Sequence, residues 1–475
     1  MPVSTTAFTT STNEFAKAEQ QIIQEQQLQS KIINEEYKIW KKTVPLLYDL
    51  IHTFAFDSSS LIFEWVKDYK KINSDYIQCQ YLIGTNTSIK TDNYLKLGSI
   101  NLPKSLISQT SDIPIPSSVD TSDFQILKQW KTQSEINALK INGDVAISFN
   151  SNGLIQSYNL INNDIVDYKY HKQEGYALNW FNSSSFLSGS LDSQIAYWDI
   201  SKPSTPIQLF KSHSGAVNDI SSLEFRKLIG SVSDDSTTQF HDLRTSENPI
   251  ISIENKHIQN CISFHPSVDT LYVTGGKDNI VNLYDIRNYK IPFRKFYGHN
   301  DSISQLKWDP NSPNLLYSSG IDKRILQWDL ESLDEEFTYP DESESGKKNK
   351  KSDKIDPCLK FIHGGHLNRI NSFDIHPKIK NLIGSVGDDK LMEIWKIKTI
   401  PEEEEEEEKE EEEKEEEKEA EEKEEEEKEE ETNEEKENKE EPKEDEEIKE
   451  EEESKEEPTE PTESKEGDGD VEMKE

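Results

Sequence analysis

Pairs of histidine and aspartate recur along this sequence of 475 residues, and these residue types can act as general acid and base in catalysis. His213 precedes Asp235 by 22 residues, and His366 precedes Asp389 by 23. One active site needs one such pair, whereas a structural role recurs with the fold. An Asp in a tight turn can accept a hydrogen bond from a His, and the His can reach a Ser on the next strand. We therefore predict no catalytic residue and assign a structural role to Asp192, Asp235, Asp278, Asp322, Asp389, His213, His299 and His366.

These residues belong to a repeat. Each Asp, or Asn152 in the first repeat, stands six residues before an aromatic residue or a His. The repeats end at Tyr158-Asn159, Trp198-Asp199, His241-Asp242, Tyr284-Asp285, Trp328-Asp329 and Trp395-Lys396. The steps are 40, 43, 43, 44 and 67 residues, so the last contains an insertion. A period of about 40 to 45 residues with Trp-Asp endings is typical of WD repeats, which form four-stranded propeller blades. The sequence predicts an all-β fold, a seven-bladed WD-repeat β-propeller.

Six repeats are visible, and the chain before them must supply the seventh blade. Two β-rich runs at 76–84 and 94–100 indicate strands joined by a polar turn. An earlier run, Ser60–Trp65, is expected to pair with the last blade, since closing the ring removes exposed strand edges. We place the propeller at residues 56–400, with an insertion at about 332–360 in the sixth blade.

The N-terminal region differs from the repeats. Apolar residues including Tyr37 and Trp40 recur at roughly helical steps, which predicts a helical arm over 17–55 after a disordered segment at 1–16. Pro45 should end or kink that helix. Two roles stay open for the arm: a helix packed on the propeller, or a ledge for a partner helix. The sequence shows no signal peptide and no apolar run that could cross a membrane.

The C-terminal segment has its own composition. Residues 401–475 hold 43 Glu, 3 Asp and 12 Lys, a net charge of −34 out of −40 for the whole chain. So few apolar residues cannot offset the entropy of ordering, so we predict a disordered acidic tail that does not bind nucleic acid directly. The three cysteines are too few and too scattered for a disulfide framework or a metal cluster, and no cofactor is expected.

Several strings resemble a known family. EEYKIWKK at 35–42, IGTNTS at 83–88, QEGY at 173–176 and FIHGGH at 361–366 are similar to the retinoblastoma-binding, histone-binding WD-repeat family. That resemblance implies a non-catalytic subunit that binds histones H3 and H4 in the nucleus, with the cytoplasm left open. The preferred interpretation is the small subunit of chromatin assembly factor 1, acting in nucleosome assembly with larger subunits. The alternative is the accessory subunit of type B histone acetyltransferase or of another chromatin-modifying complex.

The resemblance also implies two histone sites. In the family, the insertion of the sixth blade and the opening helix form a groove for the first helix of histone H4. The matching residues are Leu46, Leu47, Asp356, Leu359, Phe361 and Ile400. The run 347–351, which contains four lysines, indicates a solvated loop tip or a nuclear localisation signal.

The second implied site takes the N-terminal tail of histone H3 across the channel mouth. Its retained residues are Glu135, Asn137, Glu174 and Tyr176. Family members tend to carry Glu where this chain has Asn218, Ile258 and Ser302, so we predict a weakened H3 site.

Two further function classes compete with histone binding. An enzyme is disfavoured because no Gly-rich phosphate loop, nucleophile elbow or His-Glu-x-x-His motif occurs. A WD-repeat adaptor unrelated to chromatin would leave the opening helix, the insertion and the tail without a joint explanation.

Overall fold

The structure is a computed structural model that describes residues 31–32, 34–73, 75–87, 92–107, 124–245, 248–334 and 355–398. The chain divides into two units, Met1–Pro401 and Glu402–Glu475, and every described residue belongs to the first. The predictions for 1–16, for the acidic tail, for Ile400 and for the lysine run at 347–351 therefore lie outside the described residues. Within the described residues, none of the helices is both long and apolar enough to span a bilayer.

The fold is a seven-bladed β-propeller, as the repeat predicts. Each blade is a four-stranded antiparallel sheet, and the first strands of neighbouring blades contact one another around a central channel. From the channel outward, blades 1 to 3 consist of β2 (Phe63–Lys71), β3 (Tyr76–Gly84), β4 (Asn93–Pro103) and β5 (Phe124–Thr132); β6 (Ile136–Asn142), β7 (Val145–Asn150), β8 (Ile155–Asn159) and β9 (Ile165–Tyr168); β10 (Ala177–Asn182), β11 (Ser185–Gly189), β12 (Ile195–Asp199) and β13 (Gln208–Phe210).

Blades 4 to 7 continue the same order. They consist of β14 (Val217–Leu223), β15 (Leu228–Ser233), β16 (Thr237–Asp242) and β17 (Ile251–Glu254); β18 (Gln259–Phe264), β19 (Leu271–Gly276), β20 (Ile280–Asp285) and β21 (Arg294–Tyr297); β22 (Ile303–Trp308), β23 (Leu315–Gly320), β24 (Ile325–Asp329) and β25 (Leu359–His363); β26 (Ile370–Ile375), β27 (Leu382–Gly387), β28 (Leu391–Ile397) and β1 (Tyr48–Ala55). Short 3-10 helices lie at Lys104–Leu106, Ile286–Asn288 and Leu330–Asp334.

The second strand of a blade is the most buried, because both faces of the sheet pack against neighbouring blades. Every residue of β11, β15 and β27 is buried. These strands read as continuous apolar or small runs such as LIGSVS at 228–233, not as alternating ones. The core is therefore a ring of clusters between blades, and the aromatic endings of the repeats lie within it.

Ring closure differs from the prediction. The strand that completes blade 7 is β1, which pairs with β28 in the register Ile51 to Trp395. The run Ser60–Trp65 was wrongly assigned to this role, because Phe63 and Trp65 begin the innermost strand of blade 1. The sequence YDLIHTFA of β1 alternates buried with partly buried residues, which suits an outer strand with one covered face. The last eight residues of the predicted helical arm are therefore a strand.

The helix of the arm, α1, covers the described residues 31–32 and 34–47. It continues through Pro45 and ends two residues later at Leu47, where β1 begins. Most of its residues are exposed, and partly buried Tyr37, Trp40 and Val44 form the side that faces the propeller. Both roles left open for the arm are compatible with a helix that packs along one side only.

Candidate functional site

The recurring His and Asp residues form buried hydrogen-bond networks. In blade 6, His299 Nδ1 lies 3.0 Å from Asp322, and His299 Nε2 lies 2.7 Å from Ser318 Oγ. The indole N–H of Trp328 donates to the same Ser318 Oγ at 2.8 Å. The same arrangement joins His171 to Asp192 and His366 to Asp389, while His213 bonds Asp235 and Ser231. The histidine side chains are buried, so solvent does not reach the ring nitrogens that acid–base catalysis would use.

The fifth repeat departs from this pattern. His257 is exposed there, and Asp278 accepts a hydrogen bond from the Asn282 amide at 3.2 Å. Tyr284 stands at the aromatic ending of this repeat and stacks on Tyr272 at a centroid distance of 5.1 Å. Aromatic packing holds this blade where the other blades use a histidine.

The predicted H4 groove is partly assembled in the structure. Leu46 and Leu47 are exposed at the C-terminal end of α1, with 70% and 37% of their surface accessible. Phe361 of β25 is half-buried and packs edge-on against Tyr48 at 5.3 Å. Leu359 packs against the core between blades 5 and 6. The helix end and β25 thus border one surface, with Leu46 and Leu47 as its most accessible apolar residues among those predicted.

Asp356 corrects the prediction for this groove. Its Oδ1 accepts hydrogen bonds from Arg294 Nη2 at 3.0 Å and from the Cys358 backbone N–H at 3.1 Å. Its Oδ2 accepts one from the Tyr297 backbone N–H at 3.2 Å. With 2% of its surface accessible, Asp356 cannot meet a basic ligand. It anchors the end of the sixth-blade insertion to β21 instead.

Sequence reasoning missed other exposed apolar residues beside this groove. Ile32, Ile39 and Leu46 recur at steps of seven and are all exposed, which places them along one side of α1. Ile355 and Ile362, at the end of the insertion and in β25, are also exposed. The seven-residue spacing was the available signal, but it is hidden by the buried residues of the opposite side.

The predicted H3 residues come together at the channel mouth. The Asn137 amide donates to Glu174 Oε2 at 3.1 Å, and the Tyr176 hydroxyl lies 3.4 Å from the same oxygen. Burial and the nearby Glu174 charge raise the pKa of Tyr176 above its usual value. Glu135 lies close enough to add to that effect. The carboxylate of Glu174 is thus held in place by two neighbours, while the Tyr176 ring stays half exposed.

A charged network inside the channel was not predicted. Glu64 Oε1 accepts from Lys140 Nζ at 2.8 Å and from Lys307 Nζ at 2.9 Å, and Lys307 also bonds Asp374 at 2.7 Å. Burial and the repulsion from Glu64 raise the pKa of Asp374 to about 6. Burial also raises the pKa of Asp219 to about 6. The signal was a charged residue within each of four inner strands.

A buried cluster beside α1 has ligand types that hold metals elsewhere. His363, His366 and Glu393 approach within 4.8 Å of one another. However, His366 is bonded through both ring nitrogens, to Asp389 and Ser385, and His363 through both, to Tyr48 and Glu393. Although burial opposes it, the charges of Glu393 and Asp389 hold the pKa of His366 above its usual value. The hydrogen bonds already use the lone pairs that a metal would need, so the cluster is structural.

Comparison with known proteins identifies the family. A family model described as "Histone-binding protein RBBP4", or the corresponding component of the CAF1 complex, matches residues 35–104, and one for the "WD domain, G-beta repeat" matches 249–285 and 290–329. The chain is 34% identical over 387 residues to a Candida glabrata protein named "Histone acetyltransferase type B subunit 2", covering 77% of this chain and 88% of that protein. The chain belongs to the histone-binding WD-repeat family. A Kluyveromyces lactis protein of the same name is 30% identical over 391 residues, covering 78% and 93%.

The segment shared with the histone-binding WD-repeat family locates its characteristic part. Residues 35–104 comprise most of α1, the closing strand β1 and the first three strands of blade 1. They include Leu46, Leu47 and the ring-closing pair with β28. The family match therefore covers the helix that borders the candidate groove, in addition to generic WD repeats.

Proposed function

We propose that this chain is the histone-binding accessory subunit of a type B histone acetyltransferase. The observation that carries the proposal is the similarity to relatives of that name over more than three quarters of the chain. On sequence alone, the chromatin assembly factor 1 subunit was the preferred interpretation and the acetyltransferase subunit its alternative. The names of the relatives favour the alternative, so the order of the two is reversed here.

The geometry supports a binding role without catalysis. The histidines that could act as acid or base are buried in structural networks. The accessible apolar residues lie instead along α1 and β25, where Leu46, Ile39 and Ile362 are exposed. An amphipathic helix binds such a surface by its apolar face. We propose that the occupant is the first helix of histone H4, and that the complex is present in the nucleus.

The proposal is tested by purification and by one matched pair of variants. Full-length protein purified from its own cells should carry a catalytic acetyltransferase subunit; recovery of chromatin assembly subunits alone would overturn the choice of complex. Leu46→Glu should weaken binding of an H4 helix peptide at least tenfold, because it puts a charge into the apolar surface. The control is Ile161→Glu, since Ile161 is similarly exposed on blade 2. Equal binding by both variants would overturn the groove.

A further inference from the structure

A line of buried hydrogen bonds connects α1 to the propeller. Trp40 Nε1 of α1 lies 2.9 Å from the Tyr48 hydroxyl of β1. That hydroxyl lies 2.9 Å from His363 Nδ1 of β25, and His363 Nε2 lies 3.0 Å from Glu393 Oε2 of β28. We name these four residues the tyrosine relay. It joins the helix, the closing strand, blade 6 and blade 7 in one path.

The direction of each hydrogen bond follows from the chemistry of the groups. An indole N–H can only donate, so the Tyr48 oxygen accepts from Trp40 and its own hydrogen goes to His363 Nδ1. The remaining hydrogen of the neutral imidazole is then on Nε2, where it donates to Glu393. His363 and Glu393 are almost fully buried, and burial lowers the pKa of His363, which keeps the ring neutral. One arrangement of hydrogens satisfies all four groups.

Among the described residues, few other polar contacts hold α1. The ion pair between Glu36 and Arg324 measures 3.3 Å, but the Glu36 side chain is more than half exposed, and exposed pairs contribute little. Trp40 packs edge-on against Tyr48 and His363, with centroid distances of 6.0 and 5.8 Å. Because most of the helix is exposed, the position of α1 depends on the Trp40 side chain and the relay beneath it.

We propose that Tyr48 and His363 are positioning residues for histone binding, which set the place of α1 and thereby the shape of the groove beside Leu46. The inference rests on the proposed H4 groove. A binding surface keeps its geometry when buried hydrogen bonds fix the side chains that support it. Tyr48 is the centre of the relay, because its hydroxyl is the one group bonded to both α1 and blade 6 within it.

The first test uses Tyr48→Phe in the full-length protein, which keeps the ring and removes both hydrogen bonds. Amide hydrogen exchange in residues 34–47 should become at least tenfold faster, and affinity for an H4 helix peptide should fall at least fivefold. The control is Tyr158→Phe, since the Tyr158 hydroxyl is also buried and bonded, to Gln156 in blade 2. Unchanged exchange in α1, or an equal change in the control, would overturn the relay.

Two further variants keep the test decisive. Trp40→Phe removes the donor on the helix itself, outside the propeller sheets, and should reproduce the effect on α1 even if Tyr48→Phe lowers the melting temperature of the propeller. His363→Gln should restore function relative to His363→Leu, because an amide can accept from Tyr48 and donate to Glu393. If Gln and Leu at this position bind H4 equally, the relay does not position the groove.

The relay and the groove can fail separately. Faster exchange in α1 with normal H4 binding by Tyr48→Phe, while Leu46→Glu loses binding, would overturn the relay and keep the groove. Normal H4 binding by Leu46→Glu would overturn the groove, and the exchange measurement would still decide whether the relay holds α1.

Discussion

Lys307 of blade 6 and Glu64 of blade 1 meet at 2.9 Å across the central channel, although blade 7 separates their blades. Asp374 of blade 7 lies 2.7 Å from the same ammonium group, and Lys140 of blade 2 lies 2.8 Å from Glu64. The network therefore connects four blades around the point where the two ends of the ring meet. Each of its charges depends on its partners for compensation, because water is largely excluded.

Lys307→Met should destabilise the propeller by about 3–5 kcal/mol, because it leaves Glu64 and Asp374 close together without their shared cation. Urea unfolding at pH 7 measures the change. The control is Lys202→Met, since Lys202 is exposed and its contact with Asp199 is long at 3.8 Å, so little change is expected. A loss below about 1 kcal/mol for Lys307→Met would show that the network contributes little.

Stability should fall on mild acidification, and His241 should contribute. It stands at the aromatic ending of the fourth repeat and is fully buried. Burial, with repulsion from His213, lowers its pKa from 6.5 to about 4. The unfolded chain then binds a proton more readily than the folded protein, so the contribution is complete above pH 6.5 and is lost as the pH falls towards 4.

His241→Phe should flatten the decline in unfolding free energy between about pH 6.5 and 4 by up to about 1.4 kcal/mol per pH unit. Urea unfolding at about pH 7.5, 6 and 5 provides the comparison. His257→Phe replaces an exposed histidine and should leave the pH dependence as it is. The assignment fails if the two variants decline in parallel.

Phe361→Ala should lower the unfolding free energy by about 2–3 kcal/mol, because the ring packs on Tyr48 and Trp395. Leu47→Glu should abolish H4 binding without that loss, because Leu47 is accessible at the end of α1. Melting temperature and H4 peptide affinity, measured for each single variant, separate the two effects. A strongly destabilised Leu47→Glu protein would place Leu47 in the core.

The H3 tail should bind weakly, with a dissociation constant above about 10 µM, since several rim carboxylates of the family are replaced here and each charge-assisted hydrogen bond contributes roughly 1.5–3 kcal/mol. Glu174→Gln should weaken binding further, because Asn137 and Tyr176 already hold that carboxylate at the mouth. Titration of a labelled H3 peptide gives the affinity, with exposed Glu224→Gln as control. Tight binding that Glu174→Gln does not change would contradict both the weakening and the placement.

Removal of residues 401–475 should leave the melting temperature unchanged and slow histone association at low salt. The tail carries a net charge of −34, and attraction of this kind is screened beyond about 8 Å at physiological ionic strength. Stopped-flow association rates at two salt concentrations, with and without the tail, measure the effect. Equal rates at low salt would leave the tail with no role in capture.

The sequence alone determined what depends on spacing within one repeat. The distances from His299 to Asp322 and from Asp322 to Trp328 recur in other repeats, so the blade could be predicted without knowing how blades pack. The insertion and the acidic tail were equally visible, because a break in period and a change in composition are local properties.

The tertiary structure decided everything that joins distant parts of the chain. Two β-rich runs, 48–55 and 60–65, could each have closed the ring, and only the register with β28 selects the first. Asp356 resembled a surface carboxylate until folding brought Arg294 beside it, 62 residues away in the chain. The meeting of Glu64 with Lys307 and of Tyr48 with His363 likewise needs the closed ring. Hydrogen bonds and ion pairs depend on distances of a few ångströms, and such distances between remote residues follow from packing.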